Sequence, residues 1–199
     1  MKFMKKVMQQ LALFLFVIFV FWGLTACDNQ TEHIGISAKC PYFDNVEDME
    51  DFSDVVIEGI RLNSGRPSIT TVNEYVVSAY TWSHIQVTEV HKDSTGKLAI
   101  GDIITILENE AFDAESNAIY HIGGYNMMVP ERSYLLFLTV ANMDDGSKYY
   151  VSSGINCGTV SLENDGRLQS HVNRSGSAIS DFSIYESLWK EAKNKYIEE

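Results

Sequence analysis

The side chains able to do chemistry in this chain are few and scattered. The five histidines are His33, His84, His91, His121 and His171, and none stands at a metal-ligand spacing from a glutamate or another histidine. His84 and His91 fall on one expected strand, where their odd separation turns them to opposite faces unless a bulge intervenes. Each histidine is therefore expected at a surface or an edge, and neither a metal site nor a cofactor is expected. Asp113-Ala114-Glu115-Ser116-Asn117 starts like a calcium loop but has Ala118 where the loop needs glycine and Gly124 where it needs the bidentate acid.

Nucleophile patterns fare no better. Ser94 to Lys97 and Ser187 to Lys190 both satisfy Ser-x-x-Lys, the first in a turn with Gly96 and the second late in a helix. There is no Gly-x-Ser-x-Gly elbow, no phosphate loop and no Cys-His signature. No catalytic residue is assigned, and the chain is expected not to be an enzyme. The segment that stands out is the long connection from Asn109 to Arg132, in which Tyr120, His121, Tyr125 and Met127 surround Gly123-Gly124. Aromatics and methionine beside glycines suit an adaptable contact surface, so these four residues are the candidate ligand contacts. The competing reading is that they plug the end of a barrel.

The N-terminus carries a different signal. Lys2, Lys5 and Lys6 precede an apolar run from Leu11 to Trp22, which is followed by Gly23-Leu24-Thr25-Ala26-Cys27. A basic n-region, an apolar h-region and a small-residue cleavage site make a secretory leader, and the run is short of the roughly 20 residues that span a bilayer. Leu24-Thr25-Ala26-Cys27 resembles the lipobox of bacterial lipoproteins. The resemblance implies cleavage before Cys27 and diacylation of that cysteine with palmitate-type chains, which would hold residues 27–199 at the outer face of the cell membrane. With Cys27 assigned to lipid, Cys40 and Cys157 remain as a pair outside the cytosol, and a Cys40–Cys157 disulfide is expected, two buried free thiols being the alternative.

The elements follow from periodicity. Residues 27–44 read as a lipidated cysteine and a polar tether, and residues 45–199 as one domain. Val46, Met49 and Phe52 are three apart with acids between them, predicting a short helix capped by Asn45. Strands are predicted at 55–62, 79–91, 102–107, 133–141, 148–155 and 158–163, with turns at Asp144-Asp145-Gly146 and Asn164-Asp165-Gly166. Ser183 and Glu186 form a capping-box pattern ahead of Tyr185, Leu188, Trp189, Ala192 and Tyr196, predicting a C-terminal helix. The expected fold is mainly β, an OB-like Greek-key barrel of five or six strands with a short N-terminal helix and a C-terminal helix.

The blocks Val55-Val56-Ile57-Glu58-Gly59, Val87 to Lys92 leading to Ile100 to Ile106, and Ser133 to Leu138 look like those of small Gram-positive lipoproteins. In that family the blocks form an OB barrel resembling the inhibitory domain of tissue inhibitors of metalloproteinases. The animal inhibitors place the free amine of an N-terminal cysteine on the target's metal, whereas the corresponding end here is a lipid-modified cysteine followed by a tether. Protease inhibition is not carried over.

Charge narrows the partners. The chain has 15 basic and 27 acidic residues, and since Lys2, Lys5 and Lys6 leave with the leader and no acid does, the net charge moves from −12 to about −15. A phosphate backbone would be repelled, so nucleic acid is excluded as a partner. The expectation is a membrane-tethered, extracytoplasmic, non-enzymatic binding module for an unknown protein or small ligand, its rival a cell-envelope hydrolase with a dispersed active site. Replacing Cys27 by Ala should abolish both cleavage by the lipoprotein pathway and labelling by a fatty-acid analogue in cells. A mutant that still takes up the label would refute the assignment of Cys27.

Overall fold

A computed structural model describes residues 31–163 and 182–198, so Cys27, His171 and the Asn164-Asp165-Gly166 turn lie outside the described residues. The chain is mainly β. Its elements run β1 (Glu32–Ile36), α1 (Val46–Phe52), β2 (Val55–Val72), β3 (Tyr75–Asp93), β4 (Ile103–Glu108), β5 (Glu110–Asp113), β6 (Ala118–Ile122), β7 (Ser133–Asn142), β8 (Lys148–Ser152), β9 (Thr159–Ser161) and α2 (Phe182–Tyr196).

The helix α1 forms where the spacing of Val46, Met49 and Phe52 placed it, with the Asp48 amide donating to the Asn45 side chain at 2.8 Å. Val46 and Met49 are buried while Phe52 is half exposed. α2 begins at Phe182, so Ser183 lies within the helix rather than ahead of it. Lys195 of α2 reaches Glu50 at 2.6 Å and Glu47 at 3.3 Å, tying the last helix to the first.

Six strands form one sheet in the order β2-β3-β4-β8-β7-β9, and β2 also pairs with β7. All the pairings are antiparallel except β4 with β8. On β7, Tyr134, Leu136 and Leu138 enter one core with Val55, Ile57, Ile85 and Ile106, while Leu135 and Phe137 enter another. The second core holds Val46 and Met49 of α1 and Leu188 and Ala192 of α2. A strand buried on both faces reads as a continuous apolar run, which is how Tyr134 to Leu138 reads.

A three-stranded sheet, β1-β6-β5, packs Ile34, Ile36 and Tyr120 against Ile69, Val76 and Ala79 on the far part of the β2–β3 hairpin. That hairpin runs well past the predicted strand limits and turns at Asn73-Glu74, both with positive φ (48° and 68°). The long connection from Asn109 to Arg132 is locally structured, containing β5 and β6. Two expectations are corrected here. Residues 32–36 form a strand rather than part of a tether. Cys40 and Cys157 are free thiols, Cys40 exposed and Cys157 buried under α2, so the expected disulfide is not formed. Burial and, after it, the nearness of Cys40 push the Cys157 thiol up to about 12.

The turn from β8 to β9 depends on close approach. A Cβ on Gly158 would stand 2.6 Å from the Ser153 carbonyl oxygen and 2.7 Å from that of Phe137. Both atoms are backbone and cannot swing aside. Gly158→Ala should therefore destabilise the domain by about 2–3 kcal/mol, the upper end of the range for overpacking, as read from urea unfolding. An unchanged midpoint would contradict the packing of β9 against β7.

Candidate functional site

The densest polar chemistry among the described residues is internal. Glu108 at the end of β4 has no exposure, Arg61 of β2 is 4% exposed and Ser83 of β3 is fully buried. The strand register brings them together. Gly65 opposes Ser83 across a bulge from Arg61, and the alternation of β4 turns Ile104, Ile106 and Glu108 inward. Arg61 Nε lies 3.3 Å from Glu108 Oε1, and its Nη2 donates to Ser83 Oγ at 3.2 Å. On the other carboxylate oxygen, the Met128 amide donates at 2.7 Å and the Tyr125 hydroxyl at 3.1 Å. Burial pushes the Glu108 carboxyl up, and Ser83, Arg61, the Met128 amide and Tyr125 pull it back. Every one of these partners is a donor, the environment an acceptor-only carboxylate requires.

A second chain of polar groups lies beside it. His121 Nδ1 is 3.0 Å from Glu110 Oε2 and 2.9 Å from the Tyr125 carbonyl oxygen, both acceptors, so this nitrogen carries its hydrogen. His121 Nε2 meets His33 Nδ1 at 2.9 Å, the rings only 17° from parallel. One hydrogen lies between those two nitrogens, so the bonded pair holds at most one positive charge. Parallel pairing of β1 with β6 sets Gly35 beside His121 and puts His33 two residues away on the same face. No sequence spacing signals a pair 88 residues apart. Among the described residues no group of three or more His, Cys, Asp or Glu could hold a metal.

The candidate contact residues divide accordingly. Tyr120 is 8%, His121 7% and Tyr125 1% exposed, and Met127 is half-buried with its sulfur 3.2 Å from Arg61 Nη2. The structure does bring His121, Tyr125 and Met127 together, around Glu108 and Glu110. Tyr120 points the other way, into the small-sheet core. Three of the four are thus buried and Met127 is half-buried, and the segment supplies internal donors to the carboxylates of Glu108 and Glu110. Ser94, from the first Ser-x-x-Lys pattern, donates to the Asp54 carbonyl oxygen. The false calcium loop is a turn in which Asp113 accepts from the Glu115 amide and the Ser116 hydroxyl.

The outer surface of the large sheet is uneven. Over β7, Leu135 and Phe137 are covered by the two helices. On β3, β4 and β8 the outward positions are Tyr80, Trp82, His84 and Gln86, then Ile103, Thr105 and Leu107, then Tyr149 and Val151. Trp82 meets Tyr80 at a centroid distance of 5.1 Å and Tyr149 at 5.0 Å, both edge-on, and Ile103 is 61% exposed. None of these outward residues is acidic. The nearest acids in the sequence are Glu89 on β3, Asp102 before β4 and Glu108, which follows Leu107 but turns inward.

No family matches. The chain fits no protein-family model, and no curated protein matches it. Among the described residues no helix is long and apolar enough to cross a membrane.

The sealed network makes a direct stability prediction. Glu108→Ala leaves the Arg61 guanidinium buried without its carboxylate and should cost about 3–5 kcal/mol. Replacing Arg61 by Met and Glu108 by Leu together should recover only part of that loss. The Met128 amide and Tyr125 hydroxyl would still lack an acceptor, at roughly 1–3 kcal/mol for each unsatisfied group. Urea unfolding of the three proteins measures this, and a loss below about 1 kcal/mol for Glu108→Ala, within the range of ordinary substitutions, would refute the network.

Proposed function

We propose that this protein is a membrane-tethered extracytoplasmic binding module built on an OB-type closed barrel, its ligand surface being the outer face of β3, β4 and β8. The barrel reading is supported by the succession of pairings β2-β3-β4-β8-β7 and back to β2, with β4 and β8 parallel. The tether reading is supported by the leader and Cys27. OB folds engage ligands over the face of their second and third strands, which here are β3 and β4.

The observation that carries the ligand surface is the contrast between the two sides of the sheet. One side buries its outward apolar residues under α1 and α2. The other presents Trp82, Tyr80 and Tyr149 partly to solvent, with Ile103 largely exposed. Apolar and aromatic side chains grouped on an exposed face mark an interaction site. The rival reading of a cell-envelope hydrolase draws on the Glu110–His121–His33 chain. There, His121 Nε2 meets another imidazole where a nucleophile's hydroxyl or thiol would stand.

Site-specific photocrosslinking on intact cells tests the proposal. A photoreactive residue in place of Thr105, at the centre of the face, should capture a cell-envelope component. The same residue in place of exposed Asp51 on α1 should not. Equal yields at both positions, or none at Thr105, would contradict the assigned surface.

A further inference from the structure

We propose that β1 is an acid-released latch: the bond between His33 and His121 holds it on β6 near neutral pH, and a second proton on the pair lets it go. β1 stands at the end of the sheet order β1-β6-β5. Ile34 and Ile36 are only partly buried, and a Cβ on Gly35 would meet nothing within 4 Å. Beyond its ladder with β6, the Glu32 amide donates to the Asn117 carbonyl oxygen at 3.0 Å and the Gly123 amide donates to the Ile36 carbonyl oxygen at 2.7 Å. A strand held this lightly depends on the side chain it sends inward. That side chain is His33, whose Nδ1 stands 2.9 Å from His121 Nε2.

The space between the two rings limits the charge they hold. His121 Nδ1 faces the Glu110 carboxylate and the Tyr125 carbonyl oxygen and keeps its hydrogen. One further hydrogen fits between Nε2 and Nδ1, so a doubly protonated pair would set two N–H groups and two like charges head to head. The charged groups around the pair do not lift that limit. Glu110 of β5 matches the first positive charge. Glu108 of β4 lies behind it and is already taken by Arg61 of β2, the Tyr125 hydroxyl and the Met128 amide. Glu32, next to His33 on β1, is exposed and turns to the opposite face of the strand.

In the released state His121 stays beside Glu110, while His33 enters water and takes its own proton near the ordinary imidazole pKa of about 6.5. The released state therefore binds one proton more than the docked state. Docking is at full strength above that pKa and weakens as pH falls below it, by up to about tenfold for each pH unit. Ordinary carboxylates stay ionised down to about pH 5, so this window lies above their range. Release adds β1 to the tether, a consequence that rests on the reading of Cys27 as a lipid anchor; the latch itself does not.

Hydrogen exchange read by mass spectrometry on the full-length chain, extracted from cells in mild detergent, tests the latch, with exchange times scaled for the pH dependence of intrinsic exchange. Protection of the β1 amides should fall at least about tenfold between about pH 7.5 and about pH 5, while that of β7 stays unchanged. His33→Asn offers His121 an amide that gains no proton in this range and should leave β1 equally protected at both values. Isotope-labelled histidine, read by NMR, reports on the unaltered protein. Both ring nitrogens of His33, assigned by the signal lost in His33→Asn, should become protonated over the interval in which β1 loses protection. Should His33→Asn leave β1 unprotected throughout, this readout decides. Unchanged protection of β1 on acidification, a loss shared by β7, a pH dependence that survives in His33→Asn, or a doubly protonated His33 with β1 still protected would each overturn the proposal.

Discussion

A carboxylate with no access to water must find all its partners inside the protein, and Glu108 is that constraint here. Its guanidinium comes from Arg61 on β2, while an amide and a hydroxyl come from Met128 and Tyr125 on the connection before β7. Ser83 of β3 completes the set. Four parts of the chain are thereby held at one point, and none can shift without leaving a buried polar group unsatisfied. The neighbouring Glu110 extends the hold by accepting from the Met127 amide and from His121, which in turn meets His33 of β1. β1 is thus joined to the rest of the described residues by the same network that fixes the connection from 123 to 132.

With the interior fixed in this way, the outside of the sheet is where the two sides differ. α1 and α2 pack on β7 through Val46, Met49, Leu188 and Ala192, and Lys195 bridges the helices. That cladding buries the outer face of β7. The aromatic row of β3 and β8 has no such cover from the described helices, and its neighbours are uncharged in an otherwise acidic protein. The polar interior is sealed from solvent, while the aromatic row outside is partly exposed.

Much of the fold was legible because period and capping chemistry are local. Val46-x-x-Met49-x-x-Phe52 behind Asn45 made α1 readable, and Asp144-Asp145-Gly146 marked the β7–β8 turn, where Gly146 takes a φ of 82°. The β2–β3 hairpin was under-read because its turn is Asn73-Glu74, in which glutamate holds the left-handed conformation usually given to glycine. β1 was missed because Glu32 to Ile36 gains its strand character only from parallel pairing with β6, more than eighty residues later. The interior role of the candidate segment was hidden for a related reason. Tyr120, Tyr125 and Met127 carry the composition of a contact surface, but the acids that claim Tyr125 and Met127, Glu108 and Glu110, sit on other elements. The aromatic row was open to discovery through the alternation Tyr80-x-Trp82-x-His84, a strand with bulky residues on one side and small inward ones on the other.

The central claim is that the outer face of β3, β4 and β8 is occupied where the protein works and open when it is taken away. Hydroxyl-radical footprinting of Tyr80, Trp82 and Tyr149, on intact cells and on the same chain extracted into detergent, tests it most directly. The account predicts clear protection of these three aromatics on cells, while Tyr42 and Tyr75, both largely exposed elsewhere on the surface, are oxidised equally in both preparations. Equal oxidation of Trp82 in the two preparations would contradict it.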